Sequence, residues 1–243
     1  MLIPLGDHNP TRRRPWVTRL FIAINIGVFV FGQPWAAGAC EQQAFFLRWA
    51  VVPAELVQGQ PLGPEQIDAT TPAACDLAPM IGKSVHSAVL YSMFLHAGWL
   101  HLAGNMLYLL VFGNNVEDRF GHLGFAGFYL LGGAVATLAF AVPNPGSLAT
   151  LVGASGAIAA VLGAYLILFP VARVTVFLPP FFVFSLPAIL VLGAWFLVQL
   201  SGARVADMSG GGVAYLAHIA GFVAGVVLTL VLGGRPRRRE RRG

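Results

Sequence analysis

The sequence predicts an all-α polytopic membrane protein, a bundle of six transmembrane helices, from its composition, its apolar stretches and the sidedness of its arginines. Of the 243 residues, 57% are hydrophobic and 10% charged, whereas a soluble globular domain is about one quarter charged. A lipid solvent accounts for the difference. In windows of about 20 residues, the length that crosses roughly 30 Å of hydrocarbon, the chain yields spans near 17–31, 85–113, 124–142, 148–169, 181–200 and 213–232. The second is longer than one crossing needs.

Orientation follows from lysine and arginine placement. Six spans put both ends on one side, and the ends carry Arg12, Arg13, Arg14 and Arg19, then Arg235, Arg237, Arg238, Arg239, Arg241 and Arg242. Both ends are therefore expected in the cytoplasm, with Arg119 and Arg173, leaving Arg48, Lys83 and Arg204 outside. The net charge of +5 reads as topology plus attraction to anionic lipid rather than nucleic-acid binding. The first span follows a basic stretch in the order of a secretory leader. Its removal would take a packing partner from the other five, so it is expected to be retained.

The expected division is a basic cytoplasmic N terminus over 1–16, a transmembrane domain over 17–233 and a basic cytoplasmic tail over 234–243. Within the second lies a long loop on the outer side, 32–84, rich in proline, glutamine and acids. Cys40 and Cys75 both fall in it, and a disulfide and two free thiols are equally open. Residues 44–52, with Phe45, Phe46, Leu47 and Trp49 beside Arg48, suit a short helix at the membrane interface. The charge pattern fits a bacterial inner (plasma) membrane, although organelle membranes obey the same rule.

Polar side chains within spans are costly and mark functional candidates. They are His96, His101 and Asn105 in the second span, Ser155 in the fourth and His218 in the sixth, with all ten acidic residues expected in loops or tails. Counting back from the cytoplasmic end of each span at about 1.5 Å per residue places Ser155 and His218 about 21 Å up and His101 about 18 Å up. The three share one layer, in the outer leaflet. The fourth span presents Gly156, Ala159, Ala160 and Gly163 on one face and the sixth presents Gly221 and Gly225 beside His218. Such small-residue faces let backbones approach closely.

Serine is a weak nucleophile that needs a base, and neutral histidine is the usual one. With no carboxylate at that depth, the expectation is a Ser155–His218 dyad whose imidazole is oriented by helix packing. Charge developing on a carbonyl oxygen needs donors. The Ser155 N–H, near a helix start, and the side chains of His101 and Asn105, spaced i and i+4 on one face, are the candidates.

The runs Gly153-Ala154-Ser155-Gly156, His101-Leu102-Ala103-Gly104-Asn105 and Ala217-His218-Ile219-Ala220-Gly221, the last extended to Gly225, resemble the rhomboid family of intramembrane serine proteases. The resemblance runs over all six spans, with three motifs in order. It implies that Ser155 attacks the scissile carbonyl, that His218 is base and then acid, and that the Ser155 N–H, His101 and Asn105 hold the oxyanion. His96 and Glu117-Asp118-Arg119 match positions treated as structural, as do Gly153, Gly156, Gly221 and Gly225. The implied substrates are membrane-anchored proteins cut near the outer end of their membrane helix, and the implied chemistry needs no metal or organic cofactor. Two departures stand out: Ser87-Ala88 where the family often has Trp-Arg, and Ala159 where some members carry an aromatic residue against the histidine.

Taken singly, each motif has a plainer explanation. A glycine-alanine-serine-glycine run is usually packing, Asn105 interhelical glue and His218 a histidine bonded to a carbonyl. A metal site from His96, His101 and His218 lacks a carboxylate and the His-Glu-x-x-His spacing. The soluble-hydrolase elbow fails at Ala157, and a proton-coupled transporter lacks an acidic relay within the spans. The rival that stays open is a non-catalytic rhomboid relative that binds and escorts membrane proteins. Residues 209–212, Ser-Gly-Gly-Gly, are the candidate hinge.

Overall fold

Apolar helices separated by glycine and proline breaks generate the architecture. The computed structural model describes residues 2–34, 36–72, 75–209 and 214–232. The arginine tail at 234–243 and glycines 210–212 of the candidate hinge lie outside the described residues. A short strand, β1 (Ile3–Asp7), precedes α1 (Trp16–Gly27), which runs on into a π-helical turn, Val28–Gly32. The long loop that follows folds into α2 (Ala39–Trp49), α3 (Pro53–Gln58) and α4 (Pro64–Thr70), and α5 (Ala88–Ser92) comes just after it. Pro53 and Pro64 open their helices at a position where a missing N–H costs nothing. Then come α6 (Trp99–Phe120), α7 (His122–Ala141), α8 (Ser155–Leu168), the strands β2 (Arg173–Leu178) and β3 (Phe182–Pro187), α9 (Ala188–Ser209) and α10 (Tyr215–Val231).

The chain is mostly helical, and α8 is its axis. Ten of its 14 residues are buried, because α6, α7, α9 and α10 pack around it. The α8–α10 crossing is close enough that a Cβ on Gly163 would lie 2.2 Å from the Phe222 carbonyl oxygen, and one on Gly225 2.0 Å from that of Ala160. Only glycine fits there. Between α6 and α7 the chain reverses in one residue, Gly121, at φ 75° and ψ 169°, a region of the backbone map that essentially only glycine adopts.

The N-terminus of α1 docks on the end of α6 through one carboxylate. Glu117 accepts the N–H of Val17 at 2.9 Å, and the N–H and hydroxyl of Thr18 at 2.7 Å each. Those helix-start N–H groups have no intrahelical acceptors, so the acidic loop motif acts as a cap for another helix. Asp118 adds a bond from the Arg13 N–H at 2.9 Å.

Several expectations need correction. The fold is not purely α: β1, β2 and β3 form an antiparallel sheet in that order. Residues 173–178 and 182–187 are rich in valine and phenylalanine, which suit strands as well as spans. Span 181–200 therefore starts as a strand and becomes helical only at Ala188. Span 85–113 is broken between Ser92 and Trp99, with His96 in the gap, and its helix continues to Phe120. Residues 148–154 of the fourth span precede the helix, and Glu117 and Asp118 lie inside α6 rather than in a loop. Among the described residues α7 is the one helix long and apolar enough to cross a membrane; Trp16–Gly32, Ser155–Leu168, Ala188–Arg204 and Tyr215–Val231 are shorter apolar helices.

The sheet is tied to the bundle. Val174 and Val176 on one face are fully buried, while His8, Thr175 and Ser185 form a polar ladder on the other at 3.0 Å steps. Asp7, the last residue of β1, accepts the Tyr165 hydroxyl of α8 at 2.5 Å and the Asn115 amide of α6 at 2.8 Å. Burial raises its carboxyl pKa above 3.8, against the lowering effect of those bonds.

Candidate active site

Ser155 is the first residue of α8, and the segment before it is held from two sides. The Leu151 N–H donates to the Val51 carbonyl at 2.7 Å, and the Gly153 N–H to the Ser92 carbonyl at 2.9 Å. The Ser92 hydroxyl in turn accepts the Val51 N–H at 2.8 Å and donates to the Ala88 carbonyl at 2.7 Å. The long loop and α5 thus fix where the serine stands. Gly153, at φ 122°, takes a conformation other residues rarely adopt.

That loop carries its own cross-links. Cys40 and Cys75 are joined in a disulfide, which settles the alternative left open by the sequence. Lys83 and Glu55 form a buried ion pair, and Lys83 also donates to the carbonyls of Leu47 at 2.6 Å and Ala50 at 2.8 Å. Burial lowers the lysine pKa below 10.5 despite the partner carboxylate. Next to Ala50 is Val51, which places this pair directly behind the serine-bearing segment. Of the departure from the family pattern, Ser87 precedes α5 and Ala88, which is buried, is its first residue.

The Ser155 hydroxyl lies 2.8 Å from Nε2 of His218, on the first turn of α10. Nδ1 of the same ring lies 2.9 Å from Oε1 of Gln199, on α9. An amide therefore meets the imidazole where the sequence led us to expect helix packing alone. Ala159 brings no aromatic ring to the histidine, but Trp195 approaches from α9, 6.2 Å between centroids, and itself stacks on Phe222 at 6.0 Å.

Ser155, His218, His101, Asn105 and Gln199 line one cavity of about 770 Å³. His101 touches the serine segment closely, and its ring stands edge-on to fully buried His96 at 5.2 Å. The backbone around His96 is gripped by Gln33, whose amide donates to its carbonyl at 2.7 Å and accepts its N–H at 2.8 Å. Asn105 is nearly buried, with its amide nitrogen unbonded within the described structure. Gly156, Gly221 and Gly225 all lie at close helix contacts, Gly221 with a Cβ position 2.3 Å from the Gly156 carbonyl.

Sequence reasoning missed Gln199, Trp195 and Ser92. For Gln199 a signal existed, since it is polar and lies inside the 181–200 span, the same criterion that singled out the other five. Ser92 met the same criterion inside span 85–113, but nothing local pointed to its bonds with Val51 and Gly153, which are far away in sequence.

Fold and cavity define a helical bundle with a hydrogen-bonded serine and histidine facing a shared space. A Rhomboid domain matches residues 84–235, more than half of the chain. The chain belongs to the rhomboid family, whose members are integral membrane proteins. It is 28% identical over 232 residues to RHOMBOID-like protein 4 of Arabidopsis thaliana, covering 91% of this chain and 54% of the relative. RHOMBOID-like protein 1 of the same plant is 28% identical over 157 residues, 63% of this chain and 39% of that protein. Rhomboid protein 1, mitochondrial, of Saccharomyces cerevisiae is 33% identical over 148 residues, 58% and 40%. The chain thus spans between 39% and 54% of the length of these relatives. With a mitochondrial protein among them, they lend no support to a bacterial inner membrane in particular.

Proposed function

We propose that this protein is an intramembrane serine endopeptidase, with Ser155 as nucleophile and His218 as base. The observation that carries this reading is the 2.8 Å contact between the Ser155 hydroxyl and His218 Nε2. Nucleophile and base within 2.6–3.2 Å is the geometry activation requires.

The reaction follows from it. Nε2 takes the serine proton as Oγ bonds to the peptide carbonyl carbon. The resulting oxyanion is received by the Ser155 N–H, one of the helix-start donors that lack intrahelical acceptors, and by donors from His101 and Asn105. His218 then protonates the leaving amine as the C–N bond breaks, which leaves an acyl-serine. Water attacks that ester with His218 again as base, releasing the new carboxyl end and the free hydroxyl.

The bundle is proposed to cross the membrane six times, by α1 with its π turn, α6, α7, α8, α9 and α10, with both ends in the cytoplasm and the disulfide-bonded loop outside. The domain limits at 17–233 go with that reading. Membrane-anchored proteins are then the substrates. A carbonyl still bonded within a substrate helix is shielded, so a locally unwound segment must enter the cavity.

Covalent labelling by a fluorophosphonate, on the purified protein in detergent, tests the assignment. Wild type should label, and Ser155→Ala and His218→Ala should not. A folded wild type that stays unlabelled beside a reactive control enzyme would favour the non-catalytic binding role.

A further inference from the structure

The sequence offers a dyad, but the imidazole of His218 has partners on both nitrogens. Gln199 is 6% exposed, and its Oε1 stands 2.9 Å from Nδ1 while the Ser155 hydroxyl stands 2.8 Å from Nε2. The surroundings of the amide agree with this orientation. Its nitrogen is turned toward the Trp195 carbonyl, 3.5 Å away, a group that can only accept, and the oxygen is the end that meets histidine. An amide oxygen also only accepts, and Nδ1 must therefore carry the hydrogen. In a neutral ring that leaves Nε2 with its lone pair toward the serine, the one tautomer able to take the serine proton.

We propose that Gln199 is a positioning residue that holds His218 in this tautomer and orientation, making the site a serine-histidine-glutamine triad. This rests on the Ser155–His218 reading. The role is the one a buried carboxylate fills in serine hydrolases, and a neutral asparagine amide fills it in papain-like proteases. Within a membrane bundle an amide is the cheaper choice, because a carboxylate there carries a far larger desolvation cost. Trp195, one helical turn before Gln199 on α9, covers the imidazole from the same helix, so one element supplies both the Nδ1 acceptor and the ring contact. The plainer role for a buried glutamine is to bond α9 to α10, which would affect stability without touching the serine.

The two roles separate in the rate and pH dependence of fluorophosphonate labelling of Ser155, measured on the full chain in detergent with unfolding temperature in parallel. Among the described residues, the other titratable groups lining the cavity are His101 and Tyr108 from α6 and Tyr215 from α10, with no carboxylate beside them. Gln199→Leu is expected to label about 10- to 100-fold more slowly, part of the 10²–10⁴ that a positioned base supplies, at a near wild-type unfolding temperature. Gln199→Glu keeps the shape and the acceptor and adds a negative charge at Nδ1. It should restore labelling, with the acidic limb of the profile moved to higher pH, since the charge favours the imidazolium. Wild-type rate and profile in Gln199→Leu would overturn the proposal while the dyad stands. Should that variant fail to fold, an unmoved acidic limb in Gln199→Glu overturns it instead. An unreactive wild type removes the dyad itself.

Discussion

Gly153 and His101 are in such close contact that a Cβ on the glycine would lie 2.8 Å from both Cε1 and Nε2 of the imidazole. Two residues of different motifs, one before the serine and one on α6, thus define each other's position. Substituting Gly153 by alanine must either displace His101 or unwind the φ of 122°, a strain of about 1–3 kcal/mol. Gly153→Ala is expected to lose fluorophosphonate labelling by at least about 100-fold, a loss of the size seen when one oxyanion donor is removed. Labelling at the wild-type rate would show that neither His101 nor this backbone matters to the serine.

The buried pair Lys83–Glu55 gives a prediction about the loop behind the site. Removing one partner strands the other charge in the interior, at a cost of about 3–5 kcal/mol, whereas removing both is nearly neutral. Lys83→Met should therefore lower the unfolding temperature strongly and slow labelling, through Ala50, Val51 and the Leu151 bond. The double variant Lys83→Met with Glu55→Leu should recover the part of the stability lost to the stranded charge, while labelling stays slow because the Lys83 bond to the Ala50 carbonyl is still missing. A double variant no better than the single one would mean that the pair is not the unit that holds the loop.

The Cys40–Cys75 bridge closes a separation of 35 residues. Chain-entropy arguments give such a loop about 3–4 kcal/mol. Cys40→Ser with Cys75→Ser is expected to become cleavable by added protease within 36–72, while Ser155 still labels, because the disulfide is separate from the Val51–Leu151–Gly153 contacts. Unchanged protease resistance would assign the loop's rigidity to the Lys83–Glu55 pair alone.

What the sequence made legible was local or periodic. The small-residue faces of α8 and α10 stood at helical spacing, and Ser155 and His218 stood out as polar residues in apolar runs. The sheet did not, because Val174, Val176 and Phe184 read equally as strand or span, and the β1 that pairs with β2 lies more than 160 residues earlier. The break at 93–98 was hidden for a related reason: Met93, Phe94 and Leu95 keep the run apolar while the backbone leaves the helix. Glu117 looked like a loop acid, since nothing in its own segment indicated that its acceptors would serve Val17 and Thr18 about a hundred residues away. Interactions of that range belong to topology, and local pattern does not carry them.

Asp7 offers the pH test. Its carboxyl accepts from Tyr165 and Asn115, yet burial dominates and raises its pKa above 3.8. The folded state therefore holds this proton more tightly than the unfolded chain. The stability it contributes is full below pH 3.8 and is lost as pH rises through the raised value, so this component falls with pH across that window. Asp7→Asn keeps a carbonyl acceptor, carries no charge and has no such slope. It should unfold at or above the wild-type temperature at pH 7 and draw level or fall below it in acid. Asp7→Ala leaves the Tyr165 hydroxyl and the Asn115 amide without their acceptor and should cost about 1–3 kcal/mol at either pH. Unfolding temperatures of the three proteins at pH 4 and pH 7 decide the matter: a wild type that gains on Asp7→Asn as pH rises would mean that the ionised carboxylate, and not the protonated acid, is the form that pins β1 to α8.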